Sequence, residues 1–217
     1  MKGIKWDYLN YAMLAFLGLG LEMGLLLFVE PFIFSGTITS QYSSLQKIIH
    51  WVATMFLWVG MIVYIIVDLK KVKKFDVFNY TKPSYKGIVV SIILVIICIG
   101  MNYYDWHTLK IMAEFQSKSF ILFLFQYLYY FVEIGLVLLI LICGQAFFEE
   151  NFQQREGVPY GGLVLCFTWG IVHYLSKGSL STAMAVMIYS ILFGLIYTNM
   201  KKNTLWTYLL ILLAFII

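Results

Sequence analysis

The stretch FQYLYYFVEIGLVLL, residues 125–139, decides the fold class, because Glu133 is its single charged residue. It lies inside a longer apolar run, residues 119–148. A bilayer core of about 30 Å needs roughly 20 apolar residues per helix, so a run of this length predicts a membrane-spanning helix. The whole chain of 217 residues is 62% hydrophobic and 12% charged, whereas soluble domains are roughly a quarter charged. An integral membrane protein is therefore predicted.

Apolar runs along the rest of the chain predict an all-α, polytopic transmembrane helix bundle of about seven membrane segments. The predicted segments are residues 9–34, 48–67, 87–105, 119–148, 158–175, 180–200 and 204–217. The first is too long for a signal-peptide core and has no clear small-x-small cleavage site, so it is predicted to be retained. No internal repeat or low-complexity linker separates the segments, which predicts a single integral membrane domain over residues 1–217.

The lysines and arginines between the segments predict the orientation. Joints on one side hold eleven of the fifteen, namely Lys2, Lys5, Lys70, Lys71, Lys73, Lys74, Lys82, Lys86, Arg155, Lys201 and Lys202. By the positive-inside rule, the N-terminus is cytoplasmic and the C-terminus lies outside. Clusters between apolar segments are typical of orientation signals rather than of a nucleic-acid surface, so the lipid bilayer is the expected partner and nucleic acid is excluded.

No cofactor is predicted. The three cysteines, Cys98, Cys143 and Cys166, fall inside apolar runs without paired spacing, which argues against a disulfide framework and against a thiolate metal site. Glu149, Glu150 and His173 offer at most three metal ligands, and adjacent helical acids diverge by about 100°. A tightly held metal is therefore not expected.

Ionisable residues inside predicted membrane segments are candidate functional groups, because a carboxylate at the centre of a span costs about 2.5–3.5 kcal/mol. Glu22, in GLGLEMG, stands between Gly20 and Gly24, a small-xxx-small pair that predicts a close helix-packing interface. Glu30 precedes Pro31 near the end of the first segment and is assigned no function. Glu133 is predicted to pair with His173 or with a tyrosine hydroxyl.

The stretch GQAFFEENFQQREGVPYGGLVLCFTWGIVH, residues 144–173, ends one apolar run in two acids and places a histidine in the next. If Glu149 and Glu150 share a site, their repulsion raises the pKa of one acid and leaves a proton donor beside an acceptor. The alternative is a solvated acidic helix end. His173 shares a helical face with Trp169 and Cys166, where the alternatives are a ligand and a hydrogen-bonded packing residue.

At these residues the sequence resembles the CPBP family, also called Abi. Its multi-pass membrane proteins include type II CAAX prenyl proteases and bacteriocin self-immunity proteins. EENFQQR resembles the family's Glu-Glu pair with a following Arg, WGIVH resembles its FxxxH, and FGLIYTNMKKNTLW resembles the passage into its last helix. The likeness covers about residues 144–212. It implies that Glu149 or Glu150 activates a water molecule while His173 assists at the oxyanion, which would be general-base hydrolysis inside the membrane.

The chain departs from the family pattern at several positions. Arg155 lies one residue late, so that Gln154 occupies the aligned place, and Trp169 replaces the Phe. The positions of the second His and of the Asn or Asp fall on Leu212 and Ile216, whose side chains cannot form hydrogen bonds. These departures predict a protease site that is partly eroded.

Three functions follow from these observations. The first is a CPBP-type protein that binds a membrane peptide, a lipidated partner or another membrane protein. The alternative is an active glutamate-dependent intramembrane endopeptidase, in which Glu133 or Asn199 stands in for a lost group beside Glu150 and His173, and in which Arg155 and Trp169 contribute to binding. The third is a small carrier or proton path through Glu22, Glu133 and His173, which predicts that these three face one wet cavity.

Overall fold

The computed structural model describes residues 4–152 and 157–217, and its regular elements are all helical. A π-helical turn, Leu25–Val29, joins α1 to α2, and a second, Cys166–Gly170, joins α7 to α8. The helices are α1 Asp7–Gly24, α2 Glu30–Ile33, α3 Ser44–Val72, α4 Tyr85–Trp106, α5 Lys110–Ser117, α6 Phe120–Asn151, α7 Tyr160–Leu165, α8 Ile171–Lys177, α9 Leu180–Asn199 and α10 Thr204–Ile216.

Among the described residues, five helical stretches are long and apolar enough to cross a membrane, which confirms the coarse prediction of an all-α protein with membrane-spanning helices. They are Asp7–Ile33, Ser44–Val72, Tyr85–Trp106, Phe120–Asn151 and Leu180–Asn199. The other two predicted segments differ. Residues 158–175 form two short helices around a π turn, and the last segment is a helix of 13 residues.

Local sequence explains where the long helices begin. Ser43 accepts a hydrogen bond from the backbone N–H of Gln46, whose side chain returns a bond to the Ser43 backbone, and this capping box starts α3. The side chains of Ser84, Ser119 and Asn203 cap α4, α6 and α10 in the same position. Each cap satisfies a backbone donor that the first helical turn leaves unpaired.

Helix α6 lies at the centre of the bundle and packs against α1, α3, α7 and α10. Its residues from 136 to 145 are all buried, as expected for a helix that is apolar on every face. Helix α9 packs on the other side of α7 and also contacts α4.

Two glycines let α7 lie between α6 and α9. A Cβ added to Gly161 would lie 2.1 Å from the Leu141 carbonyl oxygen, and one added to Gly162 would lie 2.7 Å from the Ser190 carbonyl oxygen. No helix of the described chain makes the predicted close contact at Gly20 and Gly24, because a Cβ at either position has no described neighbour within 4 Å. Both residues lie on the side of α1 that faces away from the bundle.

Ion pairs define one end of the bundle, here called the lysine-rich end. There Lys5 pairs with Glu150, Lys73 with Asp7, Lys70 with Asp76, and Lys202 with Glu149. The opposite end, called the distal end, holds α2, α5 and the start of α3 and α6. The backbone N–H of Lys110 in α5 donates to the Ile217 carbonyl at 2.9 Å, which ties α5 to the end of α10.

Candidate functional site

The structure brings two acids and a histidine together inside the distal half of the bundle. His50 Nδ1 lies 2.7 Å from Glu30 Oε1, and His50 Nε2 lies 3.2 Å from Glu22 Oε1. The Tyr42 hydroxyl donates to Glu30 Oε2 at 2.8 Å. These four residues are called the acid–histidine site.

The π turn between α1 and α2 sets the register of the two acids. Eight residues of regular α-helix turn about 800°, which is about 80° more than two full turns. The i→i+5 hydrogen bonds of Leu25–Val29 put about one more residue into this turn than an α-helix has. The eight residues from Glu22 to Glu30 therefore complete about two full turns. Glu22 and Glu30 therefore face the same helix, α3, where His50 lies.

Burial makes the protonation of this site energetically important. Glu30 is 3% exposed and His50 is 6% exposed, and buried charges are tolerated only when they are paired and hydrogen-bonded. Each ring nitrogen of His50 faces a carboxylate. Two protons shared among the three groups supply both hydrogen bonds, either on an imidazolium or on a neutral imidazole and one carboxylic acid. The arrangement can accept a further proton, which would remove its net charge of −1.

The same geometry disfavours a metal ion held by all three side chains. The nitrogens of an imidazole ring point in opposite directions, and Glu22 and Glu30 approach different nitrogens. Consistent with this, no group of three His, Cys, Asp or Glu side chains within the described ranges is arranged to hold a metal ion.

Tyr42 supports Glu30 from the segment between α2 and α3. Burial, together with the hydrogen bond to Glu30, raises the pKa of Tyr42 to about 12. The hydroxyl therefore remains a hydrogen-bond donor to Glu30 over the whole physiological pH range.

A second buried carboxylate, Glu114, lies on α5 at the distal end. It is 3% exposed and accepts hydrogen bonds from Gln126 Nε2 at 2.9 Å, from Tyr127 at 3.0 Å and from Tyr130 at 2.9 Å. Nearby, burial lowers the pKa of Lys110, whose ammonium donates to the Phe215 carbonyl at 3.0 Å. These contacts hold α5 across the distal ends of α6 and α10.

The two predicted catalytic acids lie at the lysine-rich end and contact different groups. Glu149 accepts hydrogen bonds from Lys202 Nζ at 2.5 Å and from Gln145 Nε2 at 2.8 Å. Glu150 pairs with Lys5 at 2.9 Å. Adjacent positions on α6 therefore point the acids towards separate cations, and these contacts do not form the proton donor and acceptor pair considered for a shared site.

His173 lies far from both acids along the helix axis. Gly161, at the start of α7, donates its backbone N–H to Gln145 Oε1 at 2.9 Å, beside Glu149. Twelve residues of helix separate Gly161 from His173, which is about 18 Å. At the other end, Trp169 lies against His173 and also against Phe215 of α10. The structure does not bring Glu149 or Glu150 to His173, so its geometry gives no support to the predicted hydrolytic arrangement.

The remaining predicted residues occupy separate places. Arg155 lies outside the described residues. Trp169 is buried against Phe193, and His173 Nδ1 lies 2.8 Å from the Trp169 carbonyl oxygen. Asn199 donates to the carbonyl of Leu195 at 2.8 Å within α9. Glu133 is half-buried on α6 and lies near Tyr129 and Tyr130.

A pocket of about 230 Å³ opens at the lysine-rich end, between α6, α9 and the segment that follows α3. Its polar lining consists of Asp76, Asn79, Gln145, Glu149, Tyr197 and Lys202. Glu149 is thus the predicted site residue that lines a pocket large enough for a small polar group.

An apolar block separates the acid–histidine site from the lysine-rich end. It consists of Ala12, Ala15, Ile65, Leu69 and residues 136–143, all 5% exposed or less. From Glu22 towards the lysine-rich end, the next side-chain hydrogen bond made by a residue of α1 joins Tyr11 to Asp68. Eleven residues separate Tyr11 from Glu22, which is about 16 Å of helix.

Sequence reasoning missed His50, Tyr42 and Glu114. His50 lies inside the predicted segment 48–67, and an ionisable residue within a span is itself a signal of a functional site. Because His50 lies close to the end of this predicted segment, it was not recognised as a residue within the span. Glu114 lies in a short segment between predicted spans, where an acid is ordinarily solvated.

Comparison of the chain with protein-family models, with curated proteins and with solved structures finds no match in any of the three. The resemblance to the CPBP family therefore stays a prediction.

Proposed function

We propose that the protein is a small membrane carrier that binds protons at the acid–histidine site. The observation that carries the proposal is the contact of one buried histidine with two carboxylates, one buried and one partly exposed, inside helices that can cross a membrane. Ionisable groups in such positions are costly and mark proton relays and ion pathways. The proposal changes the predicted set of residues, since His50 rather than His173 is the histidine beside Glu22.

The apolar block favours a carrier over a continuous proton path. Proton transfer needs neighbours that are hydrogen-bonded directly or through a bridging water, whereas about 16 Å of helix separates Glu22 from Tyr11. The lysine and arginine asymmetry supports a cytoplasmic lysine-rich end and N-terminus, and hence a site in the outer half of the membrane. Delivery of protons to the other side would then require a conformational change.

Proton flux into vesicles tests this function. Vesicles that contain the purified protein, a trapped pH-sensitive dye and a potassium ionophore for charge balance should acidify faster than protein-free vesicles when the outside is acidified. Glu30→Gln and His50→Gln should abolish the difference, because each removes a titrating member of the site. Glu150→Gln, an acid in an exposed ion pair, is the matched control. Equal acidification with and without protein would reject the carrier.

A second candidate is the CPBP-type function of binding a membrane peptide or a lipidated partner. The pocket beside Glu149 favours it, because a charged pair and several amide and hydroxyl groups converge there. A fluorescent prenylated peptide should bind saturably, and Glu149→Ala should weaken binding while Glu150→Ala should not. Cleavage of the peptide, lost in Glu149→Ala, would instead favour the endopeptidase. Absence of saturable binding would remove this candidate.

A further inference from the structure

We propose that protons reach the acid–histidine site from the distal end, along a route through Tyr129 and Glu133 towards Glu114. The inference rests on the proposed binding of protons at that site. It adds the side from which protons enter the site and the residues that transfer them. Tyr129 is assigned as a relay between two carboxylates.

Tyr129 is the link next to the site. Its hydroxyl interacts electrostatically with Glu133, one turn further along α6, and with Glu22 of α1. The ring is 9% exposed and packs on Trp58 of α3, with ring centroids 4.7 Å apart. This packing fixes the Tyr129 ring against α3, the helix that carries His50.

Two unpaired donors on α3 point to bridging water along the same face. Thr54 and Trp58 follow His50 at intervals of four residues and are at most 1% exposed. Among the described residues, Thr54 Oγ1 and Trp58 Nε1 have no hydrogen-bond partner. An unsatisfied buried donor costs about 1–3 kcal/mol, and buried water commonly satisfies such groups. Water held by these two donors would extend the polar route beside Tyr129.

The route continues from Glu133 to the distal end. Tyr130 lies near Glu133 and donates to Glu114 Oε1 at 2.9 Å. Lys110 interacts electrostatically with both Glu133 and Glu114. Glu114 also contacts Lys118, which is 27% exposed and leads to the surface. In the opposite direction lies the apolar block, so the distal end is the side connected by polar groups.

The transfer needs no co-reactant. A protonated Glu133 gives its proton to the Tyr129 hydroxyl oxygen as that hydroxyl releases its own proton to the Glu22 carboxylate. One O–H bond breaks and another forms at the tyrosine, Glu133 becomes a carboxylate and Glu22 becomes a carboxylic acid. No group is oxidised or reduced.

Time-resolved infrared spectroscopy after a pH drop can test this route on the full chain in detergent. The readout is the carbonyl band of protonated carboxylic acids that is present in the wild type and absent in Glu30→Gln. In Tyr129→Phe we expect the same final amplitude and a rate lower by about tenfold or more, because the relay hydroxyl is lost while the ring remains. Thr54→Val, which removes the hydroxyl at similar volume, should also slow the band. Tyr189→Phe is the matched control, since its buried hydroxyl bonds to Cys98 and Asn102 instead.

The outcomes separate this inference from the proposed function. A band of full amplitude and unchanged rate in both Tyr129→Phe and Thr54→Val would overturn the route and leave proton binding in place. A wild-type spectrum that matches Glu30→Gln would overturn proton binding and the route together. Slowing in Tyr189→Phe equal to that in Tyr129→Phe would assign the effect to general loosening and reject the relay.

Discussion

At the scale of single residues, two carboxylates contact opposite ring nitrogens of His50. The position of each proton therefore depends on all three groups. A carboxylate buried beside an imidazole at close range gains more from pairing than an exposed one, because little solvent screens the interaction. The same reasoning separates Glu30 from Glu150. Both are hydrogen-bonded to a basic residue, but Glu150 is so at the surface.

Substitution of Glu30 by alanine should be strongly destabilising. It would leave His50 and Tyr42 buried without their shared hydrogen-bond partner, and loss of one member of a buried pair costs about 3–5 kcal/mol. The free energy of unfolding in detergent, measured against Glu150→Ala, tests this expectation. Glu150→Ala should change stability little, since exposed ion pairs contribute weakly. Equal losses in the two variants would contradict the difference in burial.

Deprotonation of Tyr42 should make the free energy of unfolding depend on pH under alkaline conditions. Its pKa is near 10.0 in the unfolded chain and about 12 in the fold, where the hydroxyl donates to Glu30 and the ring lies edge-on to His50. A raised pKa means that this stabilising contribution is complete below pH 10 and is lost as the pH rises towards 12. The stability difference between the wild type and Tyr42→Phe should therefore be constant below pH 10 and decrease above it. A stability difference between the two proteins that increases above pH 10 would contradict this expectation.

Two π turns shape the bundle at the scale of elements. One aligns Glu22 with Glu30, and the other, Cys166–Gly170, lies between the glycine-rich start of α7 and His173. π turns are frequently found at functional sites, because one extra residue changes the helical face of everything that follows. In α1 the extra residue converts an offset of about 80° into alignment.

A deletion in the first π turn should be tolerated better than an insertion. Without Phe28, which is 72% exposed, seven residues would separate the acids, and a regular helix would bring them back to the same face within about 20°. An alanine inserted after Phe28 would rotate Glu30 by about 100° away from the face of Glu22. Unfolding in detergent should show a loss for the insertion similar to that of Glu30→Ala. Greater damage from the deletion would contradict this register argument.

The glycines of α7 should be intolerant of a methyl group. In Gly161→Ala the new Cβ would lie 2.1 Å from the backbone oxygen of Leu141, and forced overpacking costs typically about 1–3 kcal/mol. Gly20→Ala is the control, because it meets open space and an alanine favours helix by up to about 1 kcal/mol. Thermal unfolding of both variants measures the contrast. A Gly161→Ala protein as stable as the wild type would show that α7 can move away.

For the whole molecule, charge and polar groups are distributed unequally between the two ends. Four ion pairs of lysine lie at one end, the acid–histidine site and Glu114 lie towards the other, and the apolar block stands between them. This asymmetry is the reason for proposing a carrier that is loaded from one side.

Cysteine labelling in intact cells should show opposite accessibility of the two ends. We expect Lys74→Cys to react only after the membrane is permeabilised, and Thr37→Cys to react from outside, because positive residues are retained in the cytoplasm. The native cysteines Cys98, Cys143 and Cys166 are buried, which limits background labelling. Reaction of Lys74→Cys in intact cells would invert the topology and place the acid–histidine site in the inner half.

The length and apolarity of its runs determine from sequence alone that this chain forms an all-α membrane protein, since a helix is how one chain segment satisfies its backbone in lipid. Periodicity also placed the five long helices within a few residues of their observed bounds. Only the tertiary structure decided which ionisable groups meet. His50 and Glu22 are 28 residues apart, and their pairing depends on a helix crossing and on a π turn that no local propensity encodes. The separation of Glu149 from His173 likewise follows from the direction of α7 and α8, because a motif specifies residue types and the path of the chain specifies distances.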